Sequence, residues 1–179
     1  CWITFHRHGV YAINSYCSAF KNSKFYFNME CGVFLNGAAN EVVFDHCAFD
    51  VNARRPSGFN DYWQTETGNG NILAAGVFIF QYSGDGPSYS VTFISCDFSL
   101  NGLSKSLYSS YHPSFANDEL NRPCYNFYAT QVNGLNLTGC YMEQNLTSNM
   151  FIDACNNVSI TNGSFIAGNI DILGTNTGV

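Results

Sequence analysis

The 179-residue chain carries 13 acidic and 7 basic side chains, a net charge of −6, with 11% charged residues beside 16% aromatics. An average soluble domain holds about 25% charged residues. This balance argues against a nucleic-acid binder, which needs clustered Lys and Arg. A hydrophobic share of 46% can support a core, which argues against disorder. Lys, Glu, Arg, Ala and Leu are too scarce for a coiled coil. No run of 18 apolar residues occurs, so no membrane insertion is expected. The first residues, Cys1-Trp2-Ile3, and the last, Thr175 to Val179, read as arbitrary cuts. Residues 1–179 are therefore expected to be one segment of a longer polypeptide.

In chain order, residues 1–24 show a weak pattern through Ile3, Phe5, His8 and Val10. Four later stretches align without gaps around a small residue: Val42–Phe49 on Cys47, Val91–Phe98 on Cys96, Leu135–Met142 on Cys140 and Val158–Phe165 on Gly163. Large apolar residues stand five and three before the small residue, and another two after it. Alternate residues of a strand share a face. The odd step of three therefore predicts two short strands joined by a tight bend, at Asp45-His46, Ile94-Ser95, Thr138-Gly139 and Thr161-Asn162. Asn follows five after the small residue at Asn52, Asn101 and Asn145, where it suits a turn. Each unit has an apolar strand upstream, in 32–36, 76–80, 125–128 and 150–153. Asn169–Leu173 reads as a strand of a further coil.

Repetition at a fixed period indicates stacked units. Cys140 to Gly163 is 23 residues, which suits one coil of a parallel solenoid. Cys47 to Cys96 and Cys96 to Cys140 are about twice as long, and are read as single coils carrying loop insertions at 53–71 and 102–122, which lack the columns. A sandwich of short strands is the alternative, but it gives no reason for Cys to recur in one column.

The stretches Val91–Phe98 and Leu135–Glu143 resemble the right-handed parallel β-helix of the pectate-lyase-like superfamily. Within it the chain looks most like phage tailspike and polysaccharide-depolymerase segments, over roughly residues 25–173. The resemblance implies an all-β, single-stranded parallel β-helix with coils of about 22–25 residues. It also implies a homotrimer that binds a bacterial surface polysaccharide, on a virion or outside the cell. Low charge and abundant aromatics fit a solenoid with buried subunit contacts.

Eight cysteines occur. Cys47, Cys96 and Cys140 share a column and are read as packed thiols. Cys1, Cys17, Cys31, Cys124 and Cys155 are read as lying off it. No CxxC pair exists, and His6, His8, His46 and His112 do not cluster with Cys; His6 and His8 alone share a strand face, a weak metal signal. No metal site or cofactor is expected. The sequons at Asn136, Asn145, Asn157 and Asn162 fit a polar solenoid face by composition alone.

The insertions are the sequence's main candidates for chemistry, since insertions on repeats commonly mark a binding face. Four of the seven basic residues lie there: Arg54, Arg55, Lys105 and Arg122. They suit acidic sugars through charge-assisted hydrogen bonds. Tyr62, Trp63, Tyr108 and Tyr111 suit stacking on a pyranose. Asp61, Glu66, Asp118 and Glu119 can supply the two carboxyls of a glycosidase; the alternative is that Asp61 and Glu66 are solvated loop charges and that Asp118-Glu119 starts a short helical turn. A lyase would instead use a base such as His112 or Lys105. Glu143 follows an inward Met142 and should point outward from the wall, where the resemblance makes it a catalytic candidate. Asp45, Asp97 and Asp153 are further outward carboxylates. Three functions follow: a tailspike-like depolymerase, a secreted pectate-lyase-like enzyme, or a non-catalytic scaffold or adhesin that binds glycans.

Overall fold

The computed structural model describes residues 1–4, 6, 8–28, 31–52, 74–81, 86–101, 124–143, 148–166 and 170–173. These residues form strands and turns only. The strands fall into successive coils. The first coil holds β1 (Trp2–Thr4), β2 (His8–Ile13) and β3 (Ala19–Lys21), and the second β4 (Lys24–Tyr26), β5 (Cys31–Asn36) and β6 (Asn40–Asp45). The third holds β7 (Ala48–Asp50), β8 (Ala74–Phe80) and β9 (Ser88–Ile94), and the fourth β10 (Asp97–Ser99), β11 (Cys124–Thr130) and β12 (Val132–Thr138). The fifth holds β13 (Tyr141–Glu143), β14 (Ser148–Asp153) and β15 (Asn156–Thr161), and a sixth begins with β16 (Ser164–Ile166) and β17 (Ile170–Leu173).

Each strand pairs in parallel with its counterpart one coil away, giving three sheets. Sheet A is β1-β4-β7-β10-β13-β16, sheet B is β17-β14-β11-β8-β5-β2, and sheet C is β15-β12-β9-β6-β3. The chain is thus an all-β parallel β-helix. The two long spacings are single coils, because β7, β8 and β9 complete one circuit and β10, β11 and β12 the next. Residues 53–73 and 102–123, which contain both expected insertions, lie outside the described residues.

The step of three is a left-handed residue. His46, Ser95, Gly139 and Asn162 have φ of 51°, 49°, 64° and 54°, and Asn22 matches them at 49°. A side chain at such φ is strained. The parallel ladder continues through the bend, however: the amides of Asn22, His46, Ser95 and Gly139 donate to Asp45, Ile94, Thr138 and Thr161 carbonyls. These bonds hold residues that are not glycine in the bend.

The next residue explains the cysteines. The thiols of Cys47, Cys96 and Cys140 donate to the carbonyls of Phe20, Phe44 and Phe93 at 3.4, 3.5 and 3.6 Å, each one coil back. The seven cysteines with described side chains are thiols outside any disulfide; Cys1 and Cys17 are exposed and the other five buried. One sequence expectation is corrected here. Cys1 lies on the column, with its Sγ 3.4 Å from the Ser23 hydroxyl, and Ser23 occupies the second coil's place. The register hid this because the polar Ser23 breaks the run of thiols.

Inward columns build the core. Phe25, Phe49 and Phe98 stack at centroid spacings of 5.0 Å in sheet A, and Phe20, Phe44 and Phe93 stack at 4.9 Å in sheet C. Such ring pairs add about 0.5–1.5 kcal/mol each beyond area burial. A second apolar cluster covers the outer face of sheet B, where Phe34, Phe78, Tyr128 and Phe151 form a ladder with spacings of 5.0, 4.8 and 4.7 Å.

An asparagine ladder closes the corner between sheets A and B. Asn28 Nδ2 donates to Asn52 Oδ1 at 2.9 Å, and Asn52 Nδ2 to Asn101 Oδ1 at 3.1 Å. Asn101 Nδ2 donates to Asn126 Oδ1 at 2.8 Å, and Asn126 Nδ2 to Asn149 Oδ1 at 2.7 Å. All five residues are fully buried. The first three come from the corner and the last two from β11 and β14. Asn145, expected to continue the corner series, lies outside the described residues. Where the corner supplies the amide, the strand position beneath is glycine: Gly9, Gly32 and Gly76. From the fourth coil onward that strand position is itself Asn.

Candidate functional site on the outer face of sheet A

In sheet A the middle residue of each three-residue strand faces the core, so its neighbours face out. One outward column reads Trp2, Lys24, Ala48, Asp97, Tyr141, Ser164. The other reads Thr4, Tyr26, Asp50, Ser99, Glu143, Ile166. Three carboxyls from three adjacent coils therefore share one face. Parallel strands lie about 4.8 Å apart and rise about 3.3 Å per residue. Asp97 is thus a diagonal neighbour of both Asp50 and Glu143, with Cα separations of about 8 Å.

Each carboxyl is held. Ser99 Oγ donates to Asp97 Oδ1 at 2.5 Å, and the Ser99 amide donates to Asp50 Oδ1 at 3.2 Å. The Tyr141 hydroxyl donates to Glu143 Oε2. Tyr26 donates to Asp50. Lys24 lies 5.4 Å from the Trp2 ring centroid and 5.7 Å from that of Tyr26. Trp2 is 74% exposed, which leaves a flat aromatic surface at one end of the strip.

Asp50 is only 7% exposed although it stands on an outer face. Burial, and then the charge of Asp97, push its carboxyl up to about 7 against the pull of Tyr26, the Ser99 amide and Lys24. Asp97 is also raised, first by burial and then by Glu143, against the Ser99 bond and Lys24. Tyr26 is pushed up to about 12, by burial and then by Asp50. Near neutrality the Asp50–Asp97 pair retains a proton that two solvated aspartates would have lost.

A stability prediction follows. Below about pH 4, Asp50 is protonated both folded and unfolded. Between pH 4 and 7 the unfolded chain loses a proton that the folded chain keeps, so stability falls as pH rises and the full cost stands above pH 7. Asp50→Asn removes that cost and keeps an acceptor for Tyr26 and Ser99. The variant should be more stable by about 2–4 kcal/mol at pH 8, and by clearly less at pH 5. Urea unfolding at the two pH values measures this; equal differences at both would refute the buried-carboxyl assignment.

Of the residues singled out in the sequence, Glu143 stands outward beside the fully buried Met142. Asp61, Glu66, Asp118 and Glu119 lie outside the described residues. So do Arg54, Arg55, Tyr62, Trp63, Lys105, Tyr108, Tyr111, His112 and Arg122. The described chain leaves for the two insertions just after Asn52 and Asn101, whose side chains bond across adjacent coils. Both departures lie within three residues of Asp50 and Ser99. Asp45 lies elsewhere, at the end of β6, with Lys21 Nζ at 3.7 Å and His46 Nδ1 at 2.6 Å. Asp50, Tyr26 and Trp2 were not singled out in the sequence. The signal was present, because Asp50 stands three after Cys47 just as Glu143 stands three after Cys140. Among the described residues no group of three His, Cys, Asp or Glu is arranged to hold a metal ion.

No protein-family model matches this chain, and no curated protein or solved structure matches it significantly.

Proposed function

We propose that this chain is a β-helix segment of a tailspike-like protein that binds and hydrolyses a bacterial surface polysaccharide, as a homotrimer outside the cell or on a virion. The observation that carries the hydrolytic reading is the carboxyl cluster of sheet A, in which Asp97, its carboxyl raised by burial and by Glu143, stands diagonally beside Glu143. Glycoside hydrolysis needs one protonated and one ionised carboxyl flanking the bond. Asp97 is the general acid, its carboxyl raised by burial and by the charge of Glu143. Glu143, oriented by Tyr141, is the base that activates water. Asp50 lies too deep to meet a polysaccharide and takes no part in the chemistry. An acid paired with a base that activates water inverts the anomeric centre. Trp2 and Tyr26 offer stacking surface along the strip.

The test is release of new reducing ends from a panel of bacterial capsule and O-antigen polysaccharides by the complete protein. Release without ultraviolet-absorbing products supports a hydrolase. Ultraviolet-absorbing products would transfer the reading to a lyase. Binding without release across the panel would favour the scaffold or adhesin.

A further inference from the structure

A groove on the other side of the solenoid has a different chemistry. It lies where sheets B and C meet, across the third to fifth coils, with a volume of about 380 Å³. Small-molecule sites commonly measure about 300–1,000 Å³. Its polar lining is Gln81, Tyr89, Gln131, Asn133 and Asn156, and among the described residues the lining holds no Asp, Glu, Lys, Arg or His. This contrasts with the carboxyl strip of sheet A.

The fold builds this lining. Tyr89, Asn133 and Asn156 are register partners in sheet C, so they repeat on one outward column at the coil spacing of about 4.8 Å. Gln131 and Ala154 occupy left-handed corner positions, with φ of 56° and 51°. Val132, almost fully buried, lies at the base of the corner. Gln81 is anchored by donating to the Gly86 carbonyl, and Asn133 Oδ1 accepts from Asn157 Nδ2 at 2.9 Å. Tyr89 is 44% exposed and presents ring surface. The same column continues through Asn40 to Tyr16, which is 61% exposed. Aromatic residues thus recur two coils apart, with amides between and beyond them.

The geometry points to a second glycan-binding site: the groove takes an uncharged oligosaccharide, lying along the solenoid axis. A side-chain amide offers two donors and an acceptor, which matches a hydroxyl that both donates and accepts. A tyrosine ring covers the apolar face of a pyranose while its hydroxyl stays wet. A neutral lining suits hydroxyl-rich chains without carboxylates, because an anionic sugar would meet no compensating cation among the described lining residues. The site binds and does not cleave, so it stands independently of the hydrolytic reading.

The test is calorimetric titration of the full chain with maltohexaose, cellohexaose and mannohexaose as neutral probes, and with hexagalacturonate as the charged comparator. At least one neutral probe is expected to bind and hexagalacturonate to bind more weakly. Tyr89→Ala should weaken the neutral probe about tenfold, the upper range of an aromatic contact. Tyr89→Ala combined with Asn133→Ala should abolish measurable binding. Unchanged thermal unfolding would show that both variants fold, as the exposure of Tyr89 leads one to expect. The inference is overturned if no neutral probe binds, if hexagalacturonate binds best, or if Tyr89→Ala binds with unchanged affinity.

Discussion

Asp97→Asn should lower polysaccharide cleavage by about 10²–10⁴-fold, the usual contribution of a general acid. The amide keeps the shape of the side chain and an acceptor for the Ser99 hydroxyl, but it cannot protonate a leaving oxygen. Asp97 is half-buried on the outer wall, while the neighbouring Phe98 fills the core. The variant should therefore fold and bind normally, with the loss in kcat rather than in KM. In the wild type, cleavage should fall as pH rises and Asp97 ionises, at a pH above that of a solvated aspartate. Asp50→Asn should leave that decline in place and retain more activity than Asp97→Asn, because burial and Glu143, not Asp50, raise the acid. A pH–rate profile of the three proteins measures both effects. Full activity in Asp97→Asn would remove it from the chemistry.

The second large effect is on folding. Gly76→Ala should destabilise the chain by about 3 kcal/mol or more, lowering the unfolding midpoint by about 10 °C. A Cβ at this position would lie 2.6 Å from Asn101 Nδ2 and 2.7 Å from the Asn126 carbonyl oxygen. The carbonyl belongs to the next coil and cannot move without breaking the parallel ladder of β8 and β11. Asn101 is itself fixed by bonds to the Phe49 carbonyl at 2.6 Å and to Asn126 at 2.8 Å. Displacing it leaves buried polar groups without partners, which costs about 1–3 kcal/mol each. Gly86→Ala is the control, because nothing lies within 4 Å of the Cβ it would gain. Thermal unfolding of the two variants should separate them clearly. A Gly76→Ala protein as stable as wild type would show that the corner yields more easily than this packing implies.

These two sites show what the sequence could reveal. The apolar step of two, three, two was legible because every coil buries the same columns, so Val42, Phe44, Cys47 and Phe49 return as Val91, Phe93, Cys96 and Phe98. The outward strand face of Glu143 was legible for the same reason. The asparagine ladder was only half legible. Its change from corner to strand, at Asn126, preserves the stack of amides but breaks the linear spacing, and only the pairing of Gly9, Gly32 and Gly76 with corner amides accounts for it. Asp50 was hidden differently. It stands at the repeat position of Glu143, but its importance comes from its burial and the like charge of Asp97 one coil away, neither of which is local in sequence. Cys1 lacked the preceding apolar columns that marked the other units.

Hydrolysis with Asp97 as the acid and Glu143 as the base that activates water inverts the anomeric centre. Proton NMR of a digest, recorded from the first moments of cleavage, tests it most directly. The predicted result is a saturated product whose new reducing end appears first with inverted anomeric configuration. Retained configuration, an unsaturated sugar signal, or no new anomeric signal from any polysaccharide the protein binds would contradict it.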